Sequence, residues 1–185
     1  MINNFPASAG EWCKGRSWLI RLPVVLFFIY ILVRYLGNSS YQSIFDGVNY
    51  GAHEFGHVLF SPFGQTVNIA GGSVFEILAP VIVMLGFLKQ GDFFAISFAF
   101  GWLSTALFHI AVYVADARSM QLELVAPWGF GGEDIIHDWN YLLLQSNMLQ
   151  YDSKIAFLLR CAAVLSMLAC IIGGFWLLFK MMRRK

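Results

Sequence analysis

The chain is predicted to be an all-α integral membrane protein: one membrane-embedded helical domain spanning residues 1–185, a bundle of about four to six transmembrane or re-entrant helices. Two observations carry this. Hydrophobic residues make up 58% of the chain and charged residues 12%, with a mean hydropathy of +0.65, outside the balance of a soluble domain. The apolar residues also fall into long runs separated by short polar or glycine-containing stretches, and each crossing of a hydrocarbon core about 30 Å thick takes roughly 20 of them.

The first run, Trp18 to Leu36, carries Arg21 and Arg34 near its ends, where long side chains reach the headgroups. Lys14, Arg16 and Arg21 precede it or open it. Its length and the lack of a small-x-small cleavage site read as a retained anchor, not a removed signal peptide. The second run, Asp46 to Phe60, is shorter and stops at the turn-like Ser61-Pro62-Phe63-Gly64; it reads as a crossing or a re-entrant helix. Gly71-Gly72 reads as a turn before a third run, Val74 to Leu88, which includes Glu76 and Pro80.

A fourth run covers Phe93 to Ala115 and ends in Asp116-Ala117-Arg118. The stretch from Ser119 to Ser153 is the most polar of the chain, with a loop-like Pro127 to Gly132 and a helix expected from Glu133 to about Leu149. The last run, Ile155 to Phe179, is followed by the basic Lys180 to Lys185, which the positive-inside rule places in the cytoplasm. Its small residues Ala162, Ser166, Ala169 and Gly173 predict close packing, within the bundle or in a homo-oligomer.

Net charge is +1, with 12 basic and 11 acidic residues and no basic stripe interleaved with aromatics, which argues against nucleic acid as a partner. Three cysteines, Cys13, Cys161 and Cys170, make no disulfide framework and read as small packing residues. The 18 phenylalanines read as lipid-facing and core side chains.

Chemistry concentrates in His53-Glu54-Phe55-Gly56-His57. Two histidines four apart on a helix project from one face, so both imidazoles reach one metal ion, expected to be Zn2+. Glu54 lies about 100° round from His53, placed to act as a general base toward metal-activated water. Asp46 and Tyr50 share the histidine face, and Asp46 is expected to cap the helix, while Gly51 and Gly56 would admit a neighbouring helix. Ionisable groups inside a membrane helix are costly and are usually paired or functional.

A catalytic zinc takes three protein ligands and keeps a fourth position open. His137 is the first expectation for the third, with the neighbouring Asp134 and Asp138 as orienting carboxylates or ligands in its place. Asp116 and His109 are the alternatives. They share a face with Trp102 and Tyr113, and their structural readings are an ion pair of Asp116 with Arg118 and a hydrated packing network at His109. For His137 that reading is a surface histidine of an amphipathic helix. Glu76 would position a helix or anchor substrate.

The motif resembles that of the site-2 protease group of intramembrane metalloproteases, at His53, Glu54 and His57 and in the flanking Asn49 to Ala52 and Val58 to Phe60. The resemblance covers one helix. It implies His53 and His57 as zinc ligands, Glu54 as catalytic base, and a membrane-anchored protein or peptide as substrate. That group draws its third ligand from an Asn-Pro-x-Pro-x-Leu-Asp-Gly type segment, which does not occur here. The nearest substitute, Gly131 to Trp139, would put a histidine or a different aspartate on the metal.

The expected activity is therefore that of a zinc-dependent membrane metallopeptidase, a hydrolase acting within or beside the lipid bilayer. Two other readings stay open: a zinc-dependent lipid amide hydrolase, and a non-enzymatic membrane metal-binding scaffold or transporter component. No internal duplication of the kind common in transporters is present.

Overall fold

The computed structural model describes residues 5–38, 40–122 and 136–183. Among these every regular element is helical: α1 (Phe5–Trp12), α2 (Leu22–Gly37), α3 (Asp46–Phe60), α4 (Gln65–Gln90), α5 (Phe93–Ala115), α6 (Asp138–Gln145) and α7 (Asp152–Arg183). The expected loop from Pro127 to Gly132, together with Glu133 and Asp134, lies outside the described residues.

Among the described residues three helical stretches are long and apolar enough to cross a membrane, Gln65–Gln90, Phe93–Ala115 and Leu149–Arg183. The other two expected runs fall short. Proline near its first turn starts α2 at Leu22, after a non-helical Trp18 to Arg21, so 16 residues remain. α3 has 15 residues, about 22 Å of rise, less than the hydrocarbon thickness.

The third run is the reverse case. Gly71-Gly72 is no turn but lies inside α4, which runs unbroken for 26 residues. The glycines are there for contact. A Cβ on Gly56 would strike the Gly71 carbonyl, and one on Gly71 would lie 2.7 Å from the Phe60 side chain. Helices α3 and α4 thus meet backbone to backbone, as small residues permit in a membrane, where no hydrophobic drive brings helices together. Farther along α4, Pro80 lacks the N–H that would bond the Glu76 carbonyl.

Contacts divide the chain into two units. One holds residues 1–41, 80–104 and 164–185, around Ala9, Cys13, Val25, Leu177, Leu178 and Met181. Within it Gly101 accommodates Phe28, Gly174 accommodates Val25, and Ser166 Oγ donates to the Phe100 carbonyl at 2.7 Å. Of the small-residue face expected on the last helix, Ser166 is buried and Gly173 abuts Ser97, while Ala162 and Ala169 are exposed. The buried stripe of α7 in this unit is Ser166, Met167, Cys170, Gly174, Leu177, Leu178 and Met181.

The second unit holds residues 42–79 and 105–163: α3, the first half of α4, the end of α5, α6 and the start of α7. Its apolar centre is Ile110, Val114 and Ala156, flanked by Ile77 and Trp139. All four histidines belong to it.

Candidate metal centre

Helix α3 buries a narrow polar stripe, Asn49, His53 and Gly56, at helical spacing. Asp46 does not cap this helix: Phe45 is the N-cap residue and makes no side-chain cap, and Asp46, already in the first turn, accepts from Ser43 Oγ at 2.9 Å. Asn49 Nδ2 donates to Thr105 Oγ1 at 3.3 Å, fixing the rotation of α3 against α5. Glu54 is half-buried, with Tyr50 one turn earlier against it.

The imidazoles of His53 and His57 lie edge to face, 4.9 Å between centroids. Their inner nitrogens have acceptors: His53 Nδ1 is 3.2 Å from Glu76 Oε2, and His57 Nδ1 is 3.0 Å from the Asn68 carbonyl. The outer nitrogens converge on one atom, Asp138 Oδ2, at 2.9 Å from His53 Nε2 and 3.2 Å from His57 Nε2. His53, His57 and Asp138 form a group that could hold a metal ion.

The donor set fits a cation. With Nδ1 donating to an acceptor, each ring in its neutral form turns a lone pair at Nε2 toward the carboxylate. Positive charge belongs among two such lone pairs and a carboxylate oxygen: a proton on one ring serves a single nitrogen, and two imidazolium rings this close would repel each other in a buried place. One divalent ion satisfies all three. Ligands on a tetrahedral zinc with bonds of about 2.0–2.1 Å stand roughly 3.3 Å apart, close to both distances here. Gly72 keeps that space open, since a Cβ there would lie 2.6 Å from His53 Nε2 and 2.7 Å from His57 Nε2.

Helix α6 delivers Asp138. His137 is its N-cap residue, with Nδ1 accepting from Asn140 N at 3.2 Å, and Asp138 opens the first turn, where the helix dipole favours a carboxylate. Three bonds dock this short helix: Asp138 N donates to Tyr113 Oη at 3.0 Å, Trp139 Nε1 to Ser73 Oγ at 3.0 Å, and Asn140 Nδ2 to the Ala117 carbonyl at 2.7 Å.

The other expected ligands are placed elsewhere. His137 is buried, not a surface residue of an amphipathic helix, and the helix starts at Asp138 and ends at Gln145. Its ring turns away to Tyr113, 4.4 Å between centroids, and its Nε2 stands 3.4 Å from Asp116 Oδ2 without hydrogen-bond geometry. Asp116 closes the end of α5 by accepting from Ser119 Oγ, Gln121 N and Leu122 N. Arg118 pairs with Asp152 at 2.6 Å, not with Asp116. His109 Nδ1 is 2.8 Å from Glu76 Oε1.

Two contributors had little signal in sequence. The Asn68 carbonyl leaves none, and Ser73 is an ordinary polar residue until Trp139 is placed over it. Glu76 did have one: an acid in an apolar helix needs donors, and histidines on neighbouring helices can supply them.

The chain matches no protein-family model, no curated protein and no solved structure.

Proposed function

We propose that this chain is a zinc-dependent membrane metallopeptidase, a multi-pass protein with its basic C-terminus in the cytoplasm, that hydrolyses a membrane-anchored protein or peptide. The observation that supports it most is the convergence of His53 Nε2, His57 Nε2 and Asp138 Oδ2 in front of Gly72. Two imidazoles and one carboxylate leave a tetrahedral position open, the arrangement of catalytic rather than structural zinc. A zinc ion held there would supply Lewis-acid activation of water and polarisation of the scissile carbonyl.

The residues around it divide the remaining work. Glu76 and the Asn68 carbonyl hold the two rings in the ligating tautomer. Glu54, adjacent to His53 and half-buried, is the group to take the proton from water and return it to the leaving amine. Its i,i+4 neighbour Tyr50 restrains it. Water needs a polar route, and the polar side chains nearest the site on α3 and α5, Asn49, Thr105 and His109, are the ones that would line it.

The test is Glu54→Gln in the purified protein. Stoichiometric zinc should remain while hydrolysis of a membrane-tethered peptide falls by at least a hundredfold. Because the same ligand set suits non-haem iron, elemental analysis belongs to the experiment. Zinc binding with turnover indifferent to Glu54 removes it as the base. Zinc with no peptide turnover leaves the lipid-amide and scaffold readings, which an acyl-amide substrate then separates.

A further inference from the structure

Glu76 is the most deeply buried acid beside the metal group: its side chain is 0% exposed, on a helix apolar enough to cross a membrane. Both oxygens are engaged, Oε2 3.2 Å from His53 Nδ1 and Oε1 2.8 Å from His109 Nδ1. An ionised carboxylate only accepts, so both Nδ1 atoms carry protons. In the neutral form that a metal ligand takes, His53 is thereby left with its lone pair on Nε2, the atom that faces Asp138 Oδ2. His57 receives the same tautomer from the main chain, through Asn68 O at 3.0 Å, a contact independent of any side chain.

We infer that Glu76 and His109 act together as positioning residues for the metal ligand His53, with His109 fixing the carboxylate and the carboxylate fixing the tautomer and aim of His53. The inference rests on the metal reading above. The two rings of the site are thus tuned unequally: the backbone sets His57, and a relay of two side chains ending at the partly exposed His109 sets His53. His109 reaches the site through Glu76. Its hydrogen bond occupies the oxygen that would otherwise leave Glu76 free to rotate away from His53.

The experiment measures zinc affinity of the full chain in detergent, by competition with a chromogenic chelator. Outer partners of metal-bound histidines are worth about 10–100-fold in affinity. Glu76→Gln should weaken zinc by that amount, since an amide offers a donor to one of two rings that both require an acceptor. His109→Leu should weaken it about tenfold, within the same range. His109→Asn should stay within about threefold of the parent protein, because Asn Nδ2 falls where His Nδ1 stood and donates the same bond. A loss caused by general loosening would not be rescued by asparagine.

The His53 Nδ1–H resonance of the zinc-loaded protein gives a second readout: slow exchange with solvent in the parent, faster exchange in Glu76→Gln. Unchanged zinc affinity in both His109→Leu and Glu76→Gln, with stoichiometric zinc in the parent, overturns the positioning role and leaves the metal centre intact. A parent protein that binds no zinc overturns the metal reading itself. Should Glu76→Gln fail to fold, the His109→Leu and His109→Asn pair decides the matter.

Discussion

At the scale of the residue, the informative contrast is between neighbours His137 and Asp138. Imidazole is the commoner zinc ligand, and His137 would be preferred on chemistry alone. Only the direction of each side chain from the start of α6 separates them: His137 turns back to cap its own helix and Asp138 turns to the two imidazoles. We therefore expect Asp138→Ala to abolish stoichiometric zinc and His137→Ala to retain it, as read by metal analysis after gel filtration. The opposite result would move the third ligand one residue back. Asp116 makes a separate prediction. Burial pushes its carboxyl up, yet the bonds from Ser119, Leu122 and Gln121 hold it below the ordinary 3.8. A depressed folded value means that its stabilisation is complete above the ordinary carboxylate range and is lost as pH falls through the lower folded value. Acidification below about pH 4 should then free residues 117–122. Asp116→Asn should do so at neutral pH, at a cost of about 1–3 kcal/mol, seen as faster amide exchange at Gln121 and Leu122.

At the scale of the element, the glycines are decisive. A Gly-Gly pair usually reads as a chain reversal, and here it is the contact face of a helix. The reason is steric: Gly56, Gly71 and Gly72 remove the side chains that would otherwise hold α3 and α4 apart, and Gly72 in particular faces both Nε2 atoms. Gly72→Ala should therefore fold as a helix but bind zinc at least tenfold more weakly, because its Cβ would fill the space in front of the imidazoles. Chelator competition reads this directly, and parent-like affinity would mean that the metal sits elsewhere. The amphipathic face of α3 and the position of its histidines were legible from spacing. The docking of α6 was not, since Trp139 on Ser73 and Asn140 on Ala117 join residues 66 and 23 positions apart.

For the molecule as a whole, an ion held by His53, His57 and Asp138 would couple metal binding to stability. A ligand that binds only the folded state adds about 2.7 kcal/mol at a hundredfold excess over its Kd. Zinc should raise the thermal unfolding midpoint, a chelator should reverse the rise, and His57→Ala should show neither effect; differential scanning in detergent measures all three. An unchanged midpoint in the parent would mean that His53, His57 and Asp138 hold no ion in solution. Helical class, the apolar character and the motif helix follow from composition and periodicity, because those properties are local and repeat every 3.6 residues. Which helices are long enough to cross a membrane was only partly local: the fourth run lies at Phe93 to Ala115 as its composition predicts, whereas the third extends back to Gln65 through its glycines. The third member of the metal group comes from α6, and the carboxylate behind His53 and the carbonyl behind His57 both come from α4, two turns apart, so the centre joins three helices. Side-chain direction and distance between such segments are set by packing, which no spacing along the chain encodes, so the tertiary structure alone decided them.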